Sequence, residues 1–237
     1  MAIGEVGVGS QRATVVNEET DPLTLAFPAN VKSGSLLIAA GSARKLGESP
    51  MAIVVTDTLG TTYTVFTAAP DANITLFLAY GISTSAGADT VTVNPAPVLT
   101  SYISFSIDEF SGVDASNPLD VDGGSSTGTS TSPQDSLTTT KANSLLVGVM
   151  LFSDQANETI TPGATYTQIG EEQDGSLHAV HNAEFRIASS VQAYVVDWSL
   201  GSSRPWMAYT AAFNEATDTI SIQVSLGSGG MIGRRYV

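Results

Sequence analysis

A chain of 237 residues, 42% of them hydrophobic, can bury a sizeable core as one large β domain or as two small ones. Only 14% of its residues are charged, against about 25% in an average soluble domain, so Ser, Thr, Gly and Asn must cover the solvent faces. The 23 acidic against 9 basic side chains, a formal charge of −14 and the lack of cysteine argue against nucleic-acid binding by a basic face, docking on anionic lipid, disulfides and thiolate metal sites.

The first residues, Met1-Ala2-Ile3-Gly4-Glu5-Val6, carry no basic stretch followed by an apolar block, so no secretory signal is expected. Residues 1–20 are expected to be an N-terminal arm. Residues 21–113 then read as a first β-sandwich half. Within it Val91 and Val93 alternate with Thr90, Thr92 and Asn94. Ile103, Phe105 and Ile107 alternate with Ser104, Ser106 and Asp108. A period of two predicts one face in a core and the other in water, as in antiparallel sheets. Residues 114–136 include Gly123-Gly124-Ser125-Ser126-Thr127-Gly128, the composition of a linker loop.

Residues 137–215 read as a second half. Ser35-Leu36-Leu37-Ile38-Ala39 returns as Ser144-Leu145-Leu146-Val147-Gly148, and Thr62-Tyr63-Thr64 as Thr165-Tyr166-Thr167. The aromatic strand at residues 102–110 returns at 206–213. The matches lie roughly 100 residues apart and keep their order, which marks an internal repeat. The apolar run at 145–152 is too short to span a bilayer as a helix. No window shows helical periodicity. Residues 216–237 leave the repeat as a strand and anchoring arm. In it Ile220, Ile222, Val224 and Leu226 alternate with polar residues, and a Gly-rich stretch leads to Arg234, Arg235 and Tyr236. Such an end needs a partner to order it, and the arginine pair suits an acidic neighbour, including another copy. The expected fold is an all-β, antiparallel, jelly-roll-like β-sandwich of two related halves with N- and C-terminal arms. One shared sandwich and two packed ones both fit, with the balance toward two.

The candidate chemistry is sparse. His178 and His181 are three residues apart and on one strand face opposite sides, a poor metal pair. No Gly-x-Ser-x-Gly elbow offers a nucleophile. The adjacent acids Asp108-Glu109 and Glu171-Glu172 read as solvated residues rather than as carboxylates opposed across a cleft. No catalytic residue and no enzyme activity is therefore expected. Asp114, Asn117, Asp120 and Asp122 share one loop with oxygen ligands suited to calcium, although Asp and Asn also favour turns. Trp198 and Trp206 are candidates for stacking on sugars, and Trp206 lies in a repeat strand where core packing is favoured.

Phe110-Ser111-Gly112-Val113-Asp114 followed by Asn117-Pro118-Leu119-Asp120-Val121, with Asn143-Ser144-Leu145-Leu146-Val147-Gly148 downstream, resembles a phrase found in β-sandwich domains of bacterial surface and phage virion proteins. The resemblance spans about residues 30–215 of the chain. It implies a jelly-roll-like sandwich used for display, adhesion or capsid decoration, with no defined catalytic residues. The expected role is a virion component (capsid decoration, collar, tail or fibre), made in the host cytoplasm. Its expected partners are copies of itself and other virion proteins. The alternative is a carbohydrate-binding or adhesive module at an extracellular surface, with surface glycans as partners.

Overall fold

The computed structural model describes residues 2–6, 12–17, 22–45, 50–70, 73–96, 102–152, 158–173 and 180–217. The described residues form seventeen strands, all paired antiparallel. The first nine are β1 (Gly4–Glu5), β2 (Ala13–Asn17), β3 (Leu23–Ala26), β4 (Leu36–Arg44), β5 (Ala52–Asp57), β6 (Tyr63–Ala68), β7 (Ile74–Ile82), β8 (Thr90–Ala96) and β9 (Tyr102–Ser111). They build a large sheet in the order β1-β9-β4-β7-β6, with β2 also on β9, and a small sheet β3-β8-β5. The remaining eight are β10 (Leu119–Ser130), β11 (Gln134–Thr138), β12 (Leu145–Phe152), β13 (Ile160–Pro162), β14 (Thr167–Glu172), β15 (His181–Ile187), β16 (Ala193–Leu200) and β17 (Arg204–Phe213). They build a large sheet β10-β17-β12-β15-β14 and a small sheet β11-β16-β13.

The two sets have the same strand order when β1 and β2 together are matched to β10. In each, successive strands switch between large and small sheet except for one hairpin, β6–β7 or β14–β15. Such crossing is the jelly-roll way of closing two sheets on one core. Each set encloses its own core, and the sets join through their large sheets. Leu37, Ala39, Phe77, Phe105 and Ile107 face Ile53, Val55, Val91 and Val93 of the first small sheet. The other faces of the same strands present Leu36, Ile38, Leu76, Leu78 and Phe110 to Leu145, Val147, Val149, Tyr209 and Phe213 of the second large sheet. The layers thus run small, large, large, small.

That stacking explains why the central strands do not show a wet and a dry face. In β4, β7, β12 and β17 nearly every residue is buried, because each large sheet is covered on both sides. The small sheets keep clean alternation: β5 exposes Ala52, Val54 and Thr56, and β11 exposes Gln134, Ser136 and Thr138. Each fully buried large apolar side chain in the central seam contributes about 1.5–3 kcal/mol.

Two expectations about organisation change. Residues 114–136 are not a linker loop throughout. Leu119–Ser130 is the long edge strand β10, paired with β17 and bulged between Leu119 and Val121 and between Asp122 and Gly124. Its Ser, Thr and Gly residues suit an edge that packs few apolar groups. The described part of the N-terminal arm likewise forms strands: β1 and β2 line the edge of β9. Gly112 makes this approach feasible, since its φ is +77° and a Cβ there would lie 2.3 Å from the Ala2 carbonyl oxygen.

Candidate functional site

The polar residues with the most constrained geometry lie in the seam between the two large sheets. Ser104, Ser106 and Asp108 alternate with the apolar residues of β9, so they project together toward the second sandwich. His181, at the start of β15, enters from the opposite side. Ser104 Oγ is 2.8 Å from its Nδ1 and Ser106 Oγ 2.7 Å from its Nε2. Thr14 Oγ1 lies 2.8 Å from Ser106 Oγ, and Ser42 Oγ donates to the Val180 carbonyl at 3.0 Å. Ser42, Ser104, Ser106 and His181 are fully buried. Burial pushes the His181 imidazole down to about 3, so at neutral pH it is uncharged: one ring nitrogen donates to a serine and the other accepts from one.

Asp108 completes the seam. Its Oδ2 accepts from Arg12 Nε at 3.1 Å and its Oδ1 from the Glu109 amide at 2.8 Å. Arg12 Nε also lies 2.6 Å from Glu5 Oε1, and its guanidinium sits 5.2 Å from the centre of the Phe185 ring. Burial, with the neighbouring Glu5 charge, lifts Asp108 to about 7, while the Glu109 amide and Arg12 act against the rise. Gly170, at a bulge in β14, lets the sheets close here: a Cβ would fall 2.1 Å from Ser106 Oγ and 2.2 Å from Thr14 Oγ1.

A serine at hydrogen-bond distance from a histidine resembles a nucleophile and its base, but the surroundings assign it another job. Nδ1 faces a second serine instead of an orienting carboxylate, and the whole bridge is sealed from water. The arrangement can register and lock the two sheets. Aromatic contacts do the same further along: Phe66 stacks on Tyr209 at 5.5 Å, Tyr80 meets Phe213 edge-on at 5.0 Å, and Phe110 meets Phe185 at 4.8 Å.

The sequence missed this bridge and misread its parts. Ser104, Ser106 and Asp108 do not face water as alternation predicts, and Asp108 and Glu109 are buried rather than solvated. A signal was present in β17, the counterpart of β9, which carries Met207, Tyr209 and Ala211 on the equivalent face. An apolar counterpart to a supposed solvent face points to a covered face. His178 lies outside the described residues.

The four-oxygen loop does not converge on one point. Asp114 Oδ1 caps the amides of Ser116 and Asn117 at 3.0 and 3.1 Å. Asp120 is taken up by Thr140 and Ser144, and Asp122 by the Gly124 amide and the Tyr209 hydroxyl. The Asn117 carbonyl accepts from Asn214. Among the described residues no group of three or more His, Cys, Asp or Glu is placed to hold a metal. These acids fold the β9–β10 turn and tie it to the second sandwich.

The two tryptophans are core residues, which corrects their reading as sugar platforms. Trp198 is 1% exposed, and its Nε1 donates to Asn182 Oδ1 at 2.9 Å. Trp206 is 8% exposed, packs against Gly128 and donates to Ser130 Oγ at 2.9 Å. Neither indole offers a face to a ligand. Ile220, Ile222, Val224, Leu226, Arg234, Arg235 and Tyr236 lie outside the described residues.

A further buried acid, Glu184 on β15, points into the second sandwich. Its Oε2 accepts from the Gly163 amide at 3.0 Å while its Oε1 has no partner. Burial, opposed by that amide and reinforced by the Asp197 charge, raises it to about 8. Comparison of the chain with protein-family models, with curated proteins and with solved structures gives no match.

Proposed function

We propose that the protein is a structural component of a virus particle, a phage decoration, collar, tail or fibre element whose double sandwich is a rigid spacer. The observation that carries this reading is the seam. Two sandwiches of one strand order are fused back to back through strands buried on both faces, with aromatic pairs and a serine–histidine bridge fixing their register. Such a joint resists bending. The outer faces, rich in Ser and Thr, suit a body that holds distance between neighbours.

Anchoring falls to residues 218–237 in this reading. The last described residues are held close to the β9–β10 turn: the Ala216 amide donates to the Gly112 carbonyl at 2.8 Å, and Glu215 bridges to Val113. The arm therefore departs beside Asp114, Asp120 and Glu215. That acidic ground suits Arg234 and Arg235 of a neighbouring copy, and Ile220, Ile222, Val224 and Leu226 have the period of a strand that adds to a free sheet edge. Deleting residues 218–237 removes none of the contacts described above, so it is expected to leave a folded chain that no longer enters particles. Incorporation of the deleted chain at normal levels would contradict the proposal.

A further inference from the structure

β6 closes the first large sheet on one side, and among the described residues no backbone group pairs with its outer edge. An antiparallel edge strand turns every second N–H and C=O outward, and proteins blunt such edges with charge, proline or bulges. β6 has none of these. Its six residues pair with β7 without a shift, and none is charged or a proline. By contrast its counterpart β14 is bulged, β10 is bulged twice, β13 carries Pro162, and β5 and β11 each carry an aspartate. The packing at this edge is also unfinished. β7 is buried along its first eight residues, whereas Val65 and Phe66 of β6 are half-buried, Val65 against the first core and Phe66 against the seam. On the seam face a cleft of about 400 Å³ opens beside the strand, lined by Thr62, Thr64, Tyr80, Ile82, Thr84 and Pro118.

We propose that residues 219–226 of a second copy add to β6 as a further antiparallel strand, an inference that rests on the reading of residues 218–237 as an anchoring arm. With Ile220 opposite Ala68, Ile222 falls opposite Phe66, Val224 opposite Thr64 and Leu226 opposite Thr62, all on the face of the cleft. The Gly-rich stretch then carries Arg234 and Arg235 past the Tyr63 end of the edge, toward Asp114 and Asp120 of the β9–β10 turn. The arm must come from another copy, because its own cannot reach. Ala216 is held at Gly112, just past the end of β9. A strand outside β6 lies four strand spacings away, about 19 Å, and its first residue sits at the far end of the sheet besides. From Ala216 to Ile220 the chain spans at most about 14 Å.

The test is the light-scattering mass of the full chain beside its T64K variant, with circular dichroism to show that both are folded. Thr64 is exposed, and T64K puts a charge on the edge and in the cleft. An oligomeric full chain and a folded, monomeric T64K are expected; T67K, at the other exposed position of β6, serves if T64K fails to fold. T56K, an exposed position on β5, is expected to keep the mass of the unaltered chain. Because the chain has no cysteine, T64C chains mixed with V224C chains are expected to give a cross-linked dimer with a short bismaleimide. A T64K that keeps the full oligomeric mass, while residues 1–217 alone are monomeric, overturns the β6 site and leaves the anchoring arm standing. Dispersal by T56K as readily as by T64K also overturns it. A full chain that is itself monomeric overturns the site and the arm together.

Discussion

Ser106 Oγ of β9 and His181 Nε2 of β15 lie 2.7 Å apart across the seam, although 75 residues separate them in the chain. Neither residue has contact with water, so each satisfies the other's hydrogen-bonding need and does so only when the two large sheets are in register. Replacing the histidine leaves two buried hydroxyls short of a partner and a cavity beside them. H181A is expected to lower stability by about 3 kcal/mol, read from urea unfolding. H181Q, which keeps a donor and an acceptor, is expected to lose less.

The buried ionisable groups make stability depend on pH in opposed ways. Asp108, at about 7 in the fold against an ordinary 3.8, contributes fully below pH 3.8, and that contribution is lost as pH rises to 7. Glu184 behaves alike between 4.5 and about 8. His181, at about 3 against 6.5, contributes fully above pH 6.5, and that is lost as pH falls toward 3. Between pH 4.5 and 6.5 the raised carboxyls Asp108 and Glu184, joined by Asp89, which burial also raises, outweigh the one imidazole, so stability is expected to fall as pH rises. Denaturant unfolding across pH 4.5–8 checks this. The difference curve between the unaltered chain and E184Q should carry the Glu184 share, and D108N should remove the Asp108 share.

Gly170 is a steric keystone. In G170A a methyl group would press on the Ser106 side chain and the Thr14 hydroxyl, and a loss of about 1–3 kcal/mol is expected. Gly4 has nothing within 4 Å of a built Cβ, so G4A is expected to stay within about 0.5 kcal/mol. Thermal unfolding of the pair separates close packing from a general cost of losing glycine.

Trp198 and Trp206 are expected to matter for stability alone. W198A and W206A should each cost about 3–5 kcal/mol as cavity-forming changes. A glycan array probed with either variant under conditions where it stays folded should match the unaltered chain.

The alternating pattern made β8 of the first small sheet legible, and the repeated phrases showed that matched strands recur in the same order along the two sets. The burial of both large-sheet faces was not legible from β9 alone, because Ser104 and Ser106 are satisfied by His181, and Asp108 by Arg12 and the Glu109 amide, instead of by water. Alternation reports a change of polarity, and a polar seam changes polarity without meeting solvent. β10 was hidden for a related reason: an edge strand that closes with Gly, Ser and Thr has the composition of a loop. The calcium reading of residues 114–122 followed residue type, whereas Asp120 and Asp122 turned out to be held by Thr140, Ser144 and Tyr209, partners far along the chain. Spacing carries no information about such partners.

The most direct test of the structural role is the solution mass of the purified chain, by light scattering, for residues 1–237 and for residues 1–217 at matched concentration. An oligomer that falls to a folded monomer on removal of the arm is the predicted result. An identical mass for both chains would contradict assembly through that arm.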